Sequence, residues 1–254
     1  MPLSIDDWHK RFCQQARWTE SLRAHFFSRM DLGRLKRILE VGCGTGAVSA
    51  SVARELPSAM VTGVDLNIRR LEFARSHYPA SAYAAGDGKR LPFPARAFDL
   101  VLCHFLLLWI PSPMLALREM ARVVRPGGWV IALAEPDHSA RIDYPPPLEE
   151  LGAAQTAALE RQGADPAFGR RLADLFATAG LSVEETGILG SQDNHAEPSG
   201  EDSELEWKVL KEDIGQAISE SDWEKFRQAD SGARRCGERV LFVPTFYCSG
   251  LRKD

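Results

Sequence analysis

Cysteine is scarce in this 254-residue chain. The five (Cys13, Cys43, Cys103, Cys236 and Cys248) are odd in number, scattered and without a CxxC pair. That argues against a disulfide framework and against a cysteine-rich metal site. Long apolar runs are also missing. The longest, residues 100–110, spans 11 positions and includes His104, whereas a membrane span needs about 20. The N-terminal MPLSIDDWHK carries charge where a secretory leader needs an apolar run, so no membrane partner and a cytoplasmic location are expected. No charge sign dominates: 31 Lys and Arg face 35 Asp and Glu, a formal net charge of −4. A strongly basic footprint is therefore absent, and unaided nucleic-acid binding is not expected. Repeats and low-complexity tracts are lacking too. With 44% hydrophobic residues, the chain can fill the core of one large domain, or of one domain with a cap.

Hydrophobic spacing predicts one or two helices over residues 5–31, through Phe12, Ala16, Leu22, Phe26 and Phe27, with a break at Gly33. Short apolar runs then alternate with helical stretches. Strands are expected at 37–41, 60–64, 81–85, 98–103 and 129–134, and helices at 47–56, 68–77 and 113–124. Ser112-Pro113 is read as a cap followed by proline in the first turn. This alternation implies right-handed crossovers and a doubly wound α/β fold with a mostly parallel sheet. Beyond Glu135 the pattern loosens. Residues 144–147 (Tyr-Pro-Pro-Pro) read as a rigid loop, 148–162 and 169–179 as helices, and 181–189 as a strand. Residues 190–206, with six acids and no Lys or Arg, read as a solvated loop or a lid. Ser221-x-x-Glu224 reads as a capping box, and 239–249 as one final strand.

The chemistry concentrates at Glu40-Val-Gly42-Cys-Gly44-Thr-Gly46. A glycine turn between strand and helix lets backbone amides approach a ligand at the carboxyl edge of the sheet. Gly42-x-Gly44-x-x-Ala47 alone also satisfies the dinucleotide fingerprint, leaving a nicotinamide-dependent oxidoreductase open. Asp65 ends the second strand, where a carboxylate suits a ribose diol. Gly86-Asp87-Gly88 follows the third strand, Phe98-Asp99-Leu100-Val101 opens the fourth, and Arg125-Pro126-Gly127-Gly128 precedes the fifth.

Taken in order, these motifs resemble the class I S-adenosylmethionine-dependent methyltransferases over residues 36–135. The resemblance implies a Rossmann-like seven-stranded sheet with an antiparallel last strand. It also implies N-terminal and inserted helices forming a cap, within a single domain over 1–254. Its cofactor would be S-adenosyl-L-methionine. Gly42, Gly44 and Gly46 would line the methionine portion, Glu40 would orient the loop, Asp65 would bind the ribose, and Leu66 would pack on adenine. Asp87 and the Gly88 amide would meet the adenine edge, and His104 would lie near the methionine. By the same similarity Arg17 would reach the methionine carboxylate, with Trp18 closing the pocket. Asp65 and Asp87 have a purely structural alternative as helix caps, and Arg17 has one in facing solvent.

Such an enzyme transfers a methyl group to an O, N or C nucleophile of a small metabolite or carrier-bound intermediate. A protein or RNA acceptor, or a cofactor-binding module without catalysis, are the alternatives. A base is needed only for a protonated nucleophile; the candidates are His104, Glu135, Asp137 and His138. Tyr144, Phe168 and Trp207 are candidates for an apolar acceptor pocket or for core. No zinc module, clustered thiols or Asn-Pro-Pro-Tyr motif is found. Acceptor specificity is expected outside the sheet.

Overall fold

A computed structural model describes residues 2–189 and 200–253. Helices α1 (Ile5–Trp18) and α2 (Glu20–Ser28) precede strand β1 (Arg37–Val41), and Ser4 and Asp7 cap α1 reciprocally. Helix α3 (Ala47–Glu55), β2 (Met60–Asp65), α4 (Ile68–His77), β3 (Ala82–Ala85) and β4 (Phe98–Cys103) follow. Then come α5 (Pro113–Val123), β5 (Val124–Pro136), β6 (Ile142–Tyr144), α6 (Pro146–Arg161), α7 (Leu172–Thr178) and β7 (Leu181–Leu189). The chain closes with α8 (Gly200–Ile214), α9 (Glu220–Cys236), β8 (Val240–Phe242) and β9 (Thr245–Arg252).

Seven strands form one sheet in the order β3-β2-β1-β4-β5-β9-β7. Strands β1 to β5 are parallel, and β9 lies antiparallel between β5 and β7. This is the doubly wound, Rossmann-like sheet expected from the alternating pattern. The strand order reverses between β1 and β4, so the carboxyl ends of these two strands frame the crevice where open α/β sheets take ligands. The two-residue period of the strands divides the core. Leu39, Val41, Val101 and Cys103 pack with α5 and α7 on one face, while Ile38, Leu100 and Leu102 pack with α1, α2 and α3 on the other. Asp99 fixes the start of the central strands. Its carboxylate accepts the Lys36 and Arg37 amides at 2.8 Å each and Arg125 Nε at 2.6 Å.

Several expectations beyond the central strands change. Ser112 makes no capping hydrogen bond; Pro113 alone starts α5. Arg125-Pro126-Gly127-Gly128 lies inside β5 rather than before it, at a register shift against β4. The Tyr144–Pro147 loop is absent as such: Tyr144 ends β6 and Pro146 opens α6, since proline needs no amide partner in a first turn. Of residues 190–206, read as loop or lid, 200–206 are helix α8 and the others lie outside the described residues. The α9 cap is Ser219, which accepts the Asp222 amide, not Ser221. The single strand expected at 239–249 splits at Val243-Pro244 into β8, which pairs with β6, and β9, which enters the main sheet.

Helices α6, α8 and α9 share a small apolar core of Leu148, Leu151, Trp207, Ile214, Trp223 and Phe226. A polar chain runs beside it. Arg141 Nη1 donates to Gln155 Oε1 at 2.7 Å and Gln155 Nε2 to Asp213 Oδ2 at 2.9 Å. Arg141 also pairs with Asp143 at 2.6 Å, and Arg239 with Asp143 at 3.3 Å and Asp230 at 2.8 Å. Arg234 closes the chain on Asp230 and Glu206. Asp143, Asp230 and Glu206 each pair with an arginine, a condition for keeping ions in a poorly hydrated interior. Replacing Arg239, 9% exposed at its side chain, by alanine leaves two buried carboxylates short of a partner. Arg239→Ala is expected to lower the unfolding free energy by about 3 kcal/mol, read from the urea midpoint.

Candidate functional site

Beyond β1 the chain must turn sharply into α3, and glycine makes the turn possible. Gly42, Gly44 and Gly46 have φ of +74°, +52° and +81°, in the left-handed region that residues with a Cβ avoid. Space adds a second constraint: a Cβ on Gly42 would lie 2.5 Å from the Leu106 side chain, and one on Gly44 would lie 3.0 Å from the Phe12 ring. Gly46 serves as the N-cap of α3.

This turn is one wall of a cavity of about 550 Å³ at the carboxyl edge of the sheet. Glu40, Gly42, Gly44, Asp65, Leu66, Asp87, Gly88 and His104 all line it. Gly46 sits behind the turn and does not. Asp65 accepts the Gly44 amide through Oδ2 and the Asn67 amide through Oδ1, both at 2.8 Å. It does not cap α4; Asn67 does, accepting from the Arg70 amide. Leu66 is 69% exposed, an apolar side chain held against the cavity. Asp87 accepts the Lys89 amide at 2.9 Å and pairs loosely with its ammonium at 3.5 Å.

Glu40 is buried, and Ser49 Oγ donates to its carboxylate. Burial outweighs that bond and pushes its carboxyl up to about 8. His104 is also buried and is held neutral, down to about 3, by burial and by the Arg23 charge. Its Nε2 lies 3.3 Å from Thr19 Oγ1 at the α1–α2 junction.

The remaining candidates are not brought together with these. Arg17 does not line the cavity: its side chain is 59% exposed and pairs with Asp202 of α8 at 3.8 Å. Trp18 packs edge-on against Phe105 with Arg11 over its ring. Asp137, buried at the end of β5, is held ionised by the guanidinium of Arg170, whose Nη2 donates at 2.9 Å, and by Ser139. It is not among the residues that line the cavity. His138 likewise lies outside the cavity lining. Its Nδ1 is buried without a partner among the described residues, and burial brings the ring down to about 4. Glu135 is a brace instead: its carboxylate accepts the amides of Leu106, Leu107 and Leu108 and so fixes the segment after β4. Phe168 is core, Tyr144 is half-exposed on β6, and Trp207 belongs to the α6–α8–α9 core.

Other lining residues escaped sequence reasoning. Trp8, Phe12 and Gln15 come from α1, Arg70 from α4, Trp109 from the turn after β4, and Gln162, Glu212 and Asp213 from the ends of α6 and α8. Phe12 was visible only as an apolar position on an amphipathic helix. Gln162 and Asp213 carry no local signal, since they meet only after folding, where Gln162 Nε2 donates to the Asp213 carbonyl at 2.8 Å.

Residues 39–132 match the family model described as a methyltransferase domain. The matched stretch, under half of the chain, is similar to class I S-adenosylmethionine-dependent methyltransferase domains. Its curated relatives include a fatty-acid O-methyltransferase of Mycolicibacterium smegmatis, 38% identical over 112 residues, 43% of this chain and 40% of that protein. A trans-aconitate 2-methyltransferase of Methylobacterium radiotolerans is 32% identical over 158 residues, 61% of this chain and 58% of the relative. The chain thus spans about half the length of the curated relatives it matches. Among solved structures, a geranyl diphosphate methyltransferase in complex with SAM shares the fold, with TM-score 0.56 and 14% identity over 92% of this chain and 85% of that one.

Helix α1 is fastened to the glycine turn through a histidine. His9 Nδ1 lies 2.8 Å from Thr45 Oγ1, its Nε2 lies 3.0 Å from Tyr78 Oη, and Cys13 Sγ is 3.4 Å from Nε2. Burial and the nearby His77 hold His9 below its ordinary value, with Asp6 opposing weakly. A histidine depressed in the folded state contributes stability above its ordinary value and loses it as pH falls through the depressed one. On acidification from pH 7 to pH 5, the wild-type melting temperature is therefore expected to fall further than that of His9→Gln, measured by differential scanning calorimetry.

Proposed function

We propose that this protein is a methyltransferase that uses S-adenosyl-L-methionine to methylate a small metabolite or a carrier-bound intermediate at an O, N or C nucleophile. The observation that carries the reading is the convergence in one cavity of the glycine turn, Glu40, Asp65, Leu66 and Asp87. That convergence fits the implied cofactor. A backbone cradle that a Cβ would fill suits an amino-acid end, Asp65 suits a vicinal diol, and Leu66 with Asp87 suits a flat base bearing an amine. Glu40, a buried carboxyl with one hydroxyl partner, gains a reason to ionise when an ammonium lies nearby. Bound there, the cofactor supplies a methyl group already activated on a sulfonium.

The chain's own contribution is positioning and exclusion of water. Asp65 ties the Gly44 amide to the end of β2, Glu135 holds the segment after β4, and α1 closes one side with Trp8, Phe12 and Gln15. Residues 1–254 are read as a single domain, with 5–31 as its cover, 36–135 as its cofactor half and 136–235 as its acceptor side. A small-molecule acceptor agrees with the kinds of substrate named for the fatty-acid and trans-aconitate relatives, and the near-balanced charge gives no support to a nucleic-acid partner. Among the described residues no helix is long and apolar enough to cross a membrane; a cytoplasmic location is part of the proposal.

Calorimetric titration tests the reading. S-adenosylhomocysteine is expected to bind and NAD not to; the reverse result rejects it. Asp65→Ala is expected to weaken S-adenosylhomocysteine by about 1–3 kcal/mol through lost charge-assisted hydrogen bonds. Because Glu40 stands near 8 and is mainly protonated at pH 7, binding is expected to release about one proton there. Titrations in buffers of different ionisation enthalpy measure this, and Glu40→Gln is expected to abolish it.

A further inference from the structure

His104 is joined to the cover through one hydroxyl, that of Thr19. Thr19 Oγ1 donates to the Ala16 carbonyl at 3.3 Å and accepts from Arg23 Nη1 at 2.9 Å. A threonine hydroxyl has one proton to give and two lone pairs to receive with. With its proton on Ala16 and one lone pair on Arg23, the second lone pair is open to an Nε2–H of His104, whose Nε2 lies 3.3 Å away; in the other tautomer Nε2 would take the hydroxyl proton instead. Arg23 cannot turn away, because it is 1% exposed and its Nε and Nη2 are held by Glu55 and Ser51. In the Nε2–H tautomer Nδ1 is the bare nitrogen, in a ring that lines the cavity and with no hydrogen-bond partner for Nδ1 among the described residues. The ring plane is fixed by Phe105, which meets it edge-on at 4.8 Å and 90° and has a φ of +49°, a conformation sparsely used by residues other than glycine.

The acceptor side of the same cavity is walled by Trp109, Ile110, Pro111, Gln162, Glu212 and Asp213. The cations that line the cavity, Arg70 and Lys89, follow β2 and β3 at the cofactor end, and Lys89 pairs with Asp87. Residues 190–199 contain neither Lys nor Arg. Arg11 faces Glu206 and Asp213, and Arg17 pairs with Asp202. A carboxylate acceptor would meet a wall of its own sign.

We propose that His104 is a catalytic base whose bare Nδ1 receives the proton of a hydroxyl acceptor, an alcohol or a phenol, during methyl transfer. The proposal rests on the methyltransferase reading. In the step, the acceptor oxygen forms the new C–O bond as the C–S bond of the sulfonium donor breaks. The bonding pair remains on sulfur as a thioether, and the O–H proton passes to Nδ1 and then to water. A neutral, weakly basic imidazole suffices, because the oxygen turns strongly acidic as it takes on oxonium character. An ammonium must lose its proton before it can attack, which asks for a stronger base, and a carboxylate has no proton to lose.

The ring itself gives the first test. In protein saturated with S-adenosylhomocysteine, ¹⁵N imidazole spectra from pH 5 to 9 are expected to show His104 neutral with Nε2 protonated and Nδ1 bare. An Nδ1–H tautomer, or a ring charging near pH 6.5, overturns the proposal. The second test uses 4-butylphenol and 4-butylbenzoate as paired probes. Methylation of the phenol is expected to fall in kcat about a hundredfold or more in His104→Gln, with S-adenosylhomocysteine affinity within about threefold of wild type. Methylation of the benzoate that survives His104→Gln overturns it. Thr19→Val, which removes the hydroxyl but keeps the base, is expected to loosen the tautomer preference in the same spectra. A wild-type protein that does not bind S-adenosylhomocysteine rejects the methyltransferase reading itself, while the tautomer result stands apart from that outcome.

Discussion

The site depends on one stretch of backbone, residues 42–46, that turns where no ordinary residue turns easily. Three left-handed glycines carry the chain through the turn at the end of β1 and give up conformational freedom to do so. Such a turn keeps one shape only if its neighbours hold it, and they do so from four sides. Asp65 accepts the Gly44 amide, His9 engages the Thr45 hydroxyl, Leu106 packs against Gly42, and Phe12 lies on Gly44. Two come from α1, one from the end of β2 and one from the segment after β4, so the geometry of the turn is a property of the assembled sheet and cover together.

The segment after β4 faces this turn and needs bracing of another kind. Its amides at 106–108 would be unpaired in a dry interior, and an unpaired buried amide costs on the order of 1–3 kcal/mol. Glu135 at the end of β5 accepts all three. That places Leu106 over Gly42 and holds His104 and Phe105 at the cavity wall. A residue that might be read as a reactive carboxylate therefore spends its oxygens on architecture. Asp137 does the same through Arg170.

The cover is polar where the sheet is apolar. Helices α6, α8 and α9 bury a modest cluster of large side chains, and beside it run three arginines and their acids. Ion pairs of this kind add little net stability but penalise other arrangements, since each broken pair strands a buried charge. Their effect is to fix which ends of α6 and α8 reach the cavity, and hence that Gln162, Glu212 and Asp213 line it.

The central strands and the glycine turn were legible because their signals are local: period-two apolar runs, prolines and glycines at boundaries, and acids at strand ends. Glu40, Asp65 and Asp87 could be singled out because a strand end fixes which edge of the sheet a residue occupies. Ser112 and Ser221 misled because capping depends on a backbone angle that the residue type only favours. Val243-Pro244 splits an apparently continuous strand, since β8 finds its partner in β6, a hundred residues earlier in the chain. Arg17 and Asp137 looked like site residues until folding supplied Asp202 and Arg170. The sequence alone therefore determined the α/β class, the cofactor edge and the residue types that line it, all consequences of short-range periodicity and stereochemistry. Tertiary structure alone decided which polar groups remain unpaired at the cavity and which are satisfied elsewhere. Hydrogen-bond satisfaction is settled between residues distant in sequence and close in space.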